Sequence, residues 1–138
     1  MSFDQTLTTS FKQDILLGVH DLETDTIKMA LFLATADLGA ATTVYTTAGE
    51  TSGAGYTAGG NTLTGVTVLT SGTTAYVDFA NPSWSPASFT ARGALIYNAS
   101  KSNKAIAVLD FGSDKTATIS FTVQMPANTA TSALIRLS

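Results

Sequence analysis

Thr116-Ala117-Thr118-Ile119-Ser120-Phe121-Thr122-Val123-Gln124-Met125 alternates without a break, with Ala117, Ile119, Phe121, Val123 and Met125 on one side and hydroxyl or amide residues on the other. Successive side chains of an extended chain point to opposite faces, so this period of two predicts a strand with one face buried and one face wet. Pro126 closes it. Immediately upstream, residues 105–111 are apolar on both faces except at Asp110, which predicts a central strand covered on two sides. Between the two, Gly112-Ser113-Asp114-Lys115 is expected to reverse the chain.

Working outward, the same period recurs. Residues 26–34 place Ile27, Met29, Leu31 and Leu33 on one face, and Lys28, Ala30 and Phe32 on the other. Residues 63–70 and 73–79 flank Ser71-Gly72 as a hairpin, with Ala75, Val77 and Phe79 facing inward. Residues 89–97 form a further strand, bent at Gly93, and residues 134–137 a last one that ties the C-terminus into a sheet. Residues 37–61 are Gly- and Thr-rich and read as a long loop with one short strand near Val44 and Tyr45. A single helix is predicted near the start: Ser10 caps it, Gln13 completes a capping box, Phe11, Ile15, Leu16 and Val19 share a face, and Gly18 stops it. Seven or eight short strands without βαβ alternation predict an all-β antiparallel sandwich or jelly-roll-like domain over residues 10–138, preceded by an arm at 1–9.

The totals fit one such domain. A 138-residue chain with 44% hydrophobic residues can bury a core of its own. Only 12% of residues are charged, about half the usual share, so solubility rests on hydroxyls and amides. Such a surface is cheap to desolvate against other protein, which points to assembly. The net charge is −3, and the seven basic residues form no run that could track a phosphate backbone, so no direct nucleic-acid contact is expected. Charge is uneven along the chain: residues 1–69 hold the acids Asp4, Asp14, Asp21, Glu23, Asp25, Asp37 and Glu50 against two lysines, while the second half is net basic. With no cysteine there is no disulfide framework, thiolate nucleophile or Cys-based zinc site. The opening residues lack a basic and then apolar leader pattern, and no apolar run approaches about 18 residues, so the chain is expected to be made in the cytosol and to contact no membrane.

Motifs for chemistry are weak. His20 is the only histidine and no Gly-x-Ser-x-Gly elbow accompanies it, so it is expected to cover the helix exit as a partial cation and not to catalyse. Asp21, Glu23 and Asp25 begin like a calcium loop, but Thr26 stands where its Gly belongs and Phe32 where its Glu belongs. A solvated acidic turn explains them. Gly53 to Gly60 is followed by no Gly-Lys-Ser/Thr and opens no helix, so it cradles no phosphate. Neither a metal nor an organic cofactor is expected. Asn98-Ala99-Ser100 matches a glycosylation acceptor only on paper. Three aromatic residues are candidates for partner contact: Phe3 in the arm, Tyr56 at the tip of the glycine loop, and Trp84 between Pro82 and Pro86, for which a plug at one end of the core is the favoured reading.

Three collinear stretches carry a resemblance. These are Phe11-Lys12-Gln13-Asp14-Ile15-Leu16-Leu17-Gly18-Val19-His20 running into Thr24-Asp25-Thr26-Ile27-Lys28-Met29-Ala30-Leu31; residues 45–63 around Gly53-Ala54-Gly55-Tyr56-Thr57-Ala58-Gly59-Gly60; and Ala91-Arg92-Gly93-Ala94-Leu95-Ile96-Tyr97-Asn98 followed by Ala107-Val108-Leu109-Asp110-Phe111-Gly112. Together they resemble a family of small virion structural proteins of tailed bacteriophages, over most of residues 10–125. The resemblance implies a non-enzymatic virion protein, foremost a capsid cement or decoration protein. Its partners would be major capsid or other virion subunits, with self-association into a homo-oligomer, a trimer favoured. A head-fibre, neck or tail component is the alternative, and a carbohydrate-binding module using Tyr56 and Trp84 as stacking platforms is a reading from another class.

Overall fold

The alternating segments become ten strands and one helix in the computed structural model, which describes residues 3–137. In chain order these are β1 (Thr6–Leu7), α1 (Thr9–Leu16), β2 (Ile27–Phe32), β3 (Asn61–Thr62), β4 (Thr67–Ser71), β5 (Thr74–Asp78), β6 (Ser83–Trp84), β7 (Phe89–Asn98), β8 (Lys104–Ala117), β9 (Phe121–Thr122) and β10 (Ile135–Leu137). They form a five-stranded sheet in the order β1-β8-β7-β2-β3, a three-stranded sheet β10-β5-β4 and a two-stranded ribbon β6-β9. Every pairing between strands is antiparallel, so the fold is all-β and sandwich-like, as the periodicity predicts.

The five-stranded sheet is buried on both faces, which is why β2, β7 and the first half of β8 read as continuous apolar runs. One face packs Ile27, Met29, Leu31, Ile96 and Ile106 against Phe11 of α1, Val77 and Ile135 of the small sheet, and Trp84, Phe89 and Phe121. The other packs Phe32, Leu95, Tyr97 and Val108 under Ala36, Leu38 and the half-buried Phe3 and Tyr45. On β7 the residues facing the first side change from Phe89 and Ala91 to Ala94 and Ile96, and the pairing register shifts between Ala91 and Gly93. That is the bend expected at Gly93. A Cβ there would overlap the Phe3 ring and the Leu109 carbonyl, so the glycine is needed for close approach.

Several local expectations are corrected. Residues 112–115 do not reverse the chain: β8 runs through to Ala117 and pairs again with β7 at Lys115, after residues 111–114 have bulged out opposite Arg92. Turn-forming residues mark the bulge, but Ala117 and Thr116 still find partners on β7 at Phe89 and Thr90. The alternating stretch 116–125 is consequently the end of β8, a turn and the short β9, with Ala117, Phe121 and Val123 buried and Ile119 76% exposed. The hairpin turn is Gly72-Thr73, one residue later than expected, with Ser71 paired to Thr74.

The helix cap also moves. Thr8, not Ser10, caps α1: the Phe11 backbone N–H donates to Thr8 Oγ1 at 3.1 Å, and Thr8 is fully buried against the Ala105 and Ile106 carbonyls. Gly18 follows the last turn at a positive φ of 72°, and the Val19 N–H closes on the Asp14 carbonyl at 2.9 Å, as a glycine stop requires. Of residues 1–9, read as an arm, residues 1–2 lie outside the described residues, and residues 3–9 lie along the body of the domain. The Asp4 N–H bonds to the Leu38 carbonyl, Thr6 and Leu7 pair with Val108 and Ala107, and the Thr8 N–H donates to the Ile106 carbonyl.

Candidate functional site

The three aromatic candidates are not exposed anchors. Trp84 is 3% exposed and packs against Phe89 and Phe121 with ring centroids 6.4 and 6.1 Å away. Tyr56 is stacked on it at 6.3 Å, so the fold brings these two together, but inside the domain. Phe3 lies under the opposite face of the main sheet. A sugar-stacking platform needs an open ring face, which the enclosed Trp84 does not offer.

What fixes Tyr56 is a polar network that the sequence reading missed. One Glu50 carboxylate oxygen accepts from the Tyr45 hydroxyl at 2.7 Å, and the other accepts from the Tyr56 hydroxyl and from the Gly59 backbone N–H at 2.8 Å. Tyr56 in turn accepts from the Leu31 N–H at 2.9 Å, and the Tyr97 hydroxyl donates to the Gly59 carbonyl. Burial, and then the neighbouring Glu50 carboxylate, push the Tyr45 and Tyr56 hydroxyls far above the ordinary tyrosine value and Tyr97 up to about 12. All three therefore remain neutral donors. Gly60, at φ 78°, lies so close to the Met29 carbonyl that no Cβ fits there. The glycine loop is thus a strap laid along β2, with the Thr51 N–H bonded to the Leu31 carbonyl and the Leu33 N–H to the Gly49 carbonyl.

His20 is buried, with its ring 5.2 Å from that of Phe11. Asn98 Nδ2 lies 3.0 Å from His20 Nδ1 and 2.8 Å from Asp25 Oδ2, while Asn98 Oδ1 accepts from the Ser100 N–H. Asn98 therefore points its amide protons at the ring, and Nδ1 is an acceptor. Burial lowers the histidine pKa against the opposing pull of Asp14 and Asp25, so His20 is a neutral core residue and not the cationic helix cover expected. Asp25 is itself held below the carboxylate range by its bonds from Asn98, the Asp21 backbone and Lys101, 3.2 Å away, which outweigh its desolvation. Asp21 Oδ1 accepts from the Glu23 and Thr24 N–H groups, the geometry of a self-satisfied acidic turn. Among the described residues, no three His, Asp or Glu side chains converge to hold a metal ion. No helix there is long and apolar enough to cross a membrane.

The surface feature that stands out is apolar. A groove of about 420 Å³ lies between α1 with its following turn and the inner face of the small sheet; Phe11, Ile15, Leu22, Val77 and Ile135 line it, with Val68 and Leu137 at its rim. Val68 is 45% and Leu137 54% exposed, and Leu16 and Leu17, next in the chain to the groove-lining Ile15 and Gly18, are 87% and 69% exposed. Leu16 was expected on the buried helix face. Over only eight residues, α1 turns just Phe11 and Ile15 inward, and Leu16 falls about 100° away from Ile15. Comparison with known proteins found no matching family model, no matching characterised protein and no matching solved structure.

Proposed function

We propose that the chain is a structural protein of a tailed-bacteriophage particle, and specifically a cement protein that binds the shell formed by major capsid subunits. The observation that carries this reading is exposed aliphatic surface: Val68 and Leu137 stand partly in solvent at the edge of an open apolar groove, and Leu16 and Leu17 are exposed beside its lining residues Ile15 and Gly18 in the chain, on a protein with few charges to keep neighbours away. Singly exposed leucines are ordinary, but aliphatic residues grouped around one groove mark a contact surface. Its chemistry suits burial against protein, at roughly 25 cal/mol per Å² of apolar area removed from water. The resemblance of most of residues 10–125 to phage virion proteins supports placing that contact within a phage particle. Cementing requires surface and a rigid body, and the two cores beneath β2, β7 and β8 supply the rigidity.

The test is to titrate purified protein onto capsids that lack it. A cement protein binds to saturation, at a fixed ratio to the major capsid subunit, and raises the temperature at which the shell opens. Absence of binding to the shell, with attachment confined to the neck, tail or fibres, would replace the cement role with the alternative one. Absence of binding to any part of the particle would overturn the proposal.

A further inference from the structure

In an antiparallel hairpin closed by a two-residue turn, the pair next to the turn exchanges both backbone hydrogen bonds, and pairs then alternate between bonded and non-bonded. Here the turn is Gly72-Thr73 and the closing pair is Ser71 with Thr74. Thr67, Leu69 and Ser71 therefore bond inward to β5, while Val68 and Thr70 direct their N–H and C=O groups away from it. Among the described residues β4 is the longest strand paired on one side only. The opposite edge of β2 is closed by β3 and the strap; β1 and the chain at Thr8 cover β8 around Ile106 to Val108, and the uncovered second half of β8 carries a bulge and the charges of Asp114 and Lys115, which blunt it.

Natural sheets usually blunt such an edge with charge, proline or a bulge. Thr67-Val68-Leu69-Thr70-Ser71 has none of these within it, and every residue of the strand is exposed. One contact stands guard from outside: the Val68 N–H donates to Glu23 Oε2 at 2.9 Å, a bond from the acidic turn that occupies one of the outward-facing donors.

We infer that β4 pairs with β4 of a second copy of this chain about a two-fold axis at Leu69, and that the Glu23 carboxylate covers this edge in the free subunit. The occupant follows from the register. Outward-facing residues must pair with each other, and the only two-fold arrangement that keeps all five residues paired sets Val68 against Thr70 of the second copy and Leu69 against its own equivalent. Antiparallel self-pairing brings positions symmetric about the axis together, so a charged strand would meet like charge; this one is neutral throughout. Leu69 falls at a non-bonded position, where side chains approach closest, and its 38% exposure leaves it free to make that contact. A five-residue edge falls short of the roughly 800 Å² per partner of a standard stable interface, so the dimer is weak in dilute solution, with a dissociation constant on the order of tens of micromolar. The inference rests on reading the chain as an assembling subunit, where avidity on a particle makes such a contact effective. It makes the unit a dimer, not the trimer favoured from sequence.

The test exploits the lack of cysteine in the chain. Non-bonded antiparallel neighbours have Cα atoms about 4.5 Å apart, within disulfide reach. Under mild oxidation Leu69→Cys is expected to form a covalent dimer at least about tenfold faster than Val68→Cys, whose own equivalent lies out of reach. Sedimentation equilibrium is expected to show the unmodified chain dimerising at high concentration, Glu23→Ala dimerising roughly fivefold more tightly, and Leu69→Lys remaining monomeric. Chemical unfolding of each variant verifies the fold. Equal crosslinking at both positions, or a Glu23→Ala protein that stays monomeric at millimolar concentration, overturns the pairing. If Leu69→Cys and Leu69→Lys coat capsids normally while remaining monomeric, the β4 contact is refuted and the cement reading stands.

Discussion

Replacing Glu50 measures how the strap over β2 is held. In Glu50→Ala, the Tyr45 hydroxyl, the Tyr56 hydroxyl and the Gly59 N–H lose their common acceptor at once. Gly59 is buried and both tyrosines are half-buried, so water restores only part of what is lost. Hydrogen bonds to a charged group contribute about 1.5–3 kcal/mol each, and a stranded donor costs about 1–3; discounting for partial rehydration, the three together are expected to cost about 3 kcal/mol. That is a large part of the 5–15 kcal/mol that holds a typical domain. Glu50→Gln keeps the shape but loses the charge and turns one oxygen into a donor; its carbonyl can still accept from Tyr56 and Gly59 while its amide N–H meets the Tyr45 hydroxyl, which must then accept, so its cost should be about half as great. Urea unfolding followed by tryptophan fluorescence is a suitable readout, because Trp84 stacks on Tyr56 at the end of the strap. A midpoint change equivalent to less than about 0.5 kcal/mol in Glu50→Ala would mean that the strap is held by packing alone, and the network reasoning would be refuted.

Thr8→Ala should destabilise the domain by about 1–2 kcal/mol, whereas Ser10→Ala should change it by less than about 0.5; equal effects in thermal unfolding would return the cap to Ser10. Because the folded pKa of His20 is lowered below 6.5, the unfolded chain takes up a proton first as pH falls. Stability is therefore full well above that value and declines as pH drops through it toward the folded pKa, a decline that should be missing in His20→Gln. Asp78, raised by burial, acts in the opposite sense, gaining stability as pH falls through its folded pKa, and Asp78→Asn separates the two. Finally, Leu16→Ser with Leu17→Ser should leave the unfolding midpoint within about 0.5 kcal/mol of the parent while weakening capsid binding at least about tenfold; loss of stability together with binding would show that the pair belongs to the core.

Strand periodicity made the class of fold readable. Ile27, Met29 and Leu31 face one core and Ala30 and Phe32 the other, as the alternation requires, and the two-sided burial of residues 105–108 was visible in their unbroken apolar run. What stayed hidden was decided by distant partners. Gly112 to Lys115 carry every local mark of a turn, but Thr116 and Ala117 gain more by pairing again with β7, so the segment becomes a bulge. Thr8 outranks Ser10 as a cap because the carbonyls of β8 bury it, and nothing in a local window reveals β8. Tyr56 in a glycine-rich stretch looks mobile until Glu50 is known to point at it, and the six-residue spacing of the two was the only signal in the sequence. The groove and the bare edge of β4 were illegible for the same reason: the sequence locates strands, and tertiary packing decides which of them remain uncovered.

Electron cryomicroscopy of purified particles tests the assembly role most directly. A cement protein should appear on the outside of the shell at local symmetry axes, with Leu16, Leu17 and the groove beside β4 turned toward a neighbouring subunit. Particles whose shell carries no such density, or carries it with that groove open to solvent, would contradict the proposal.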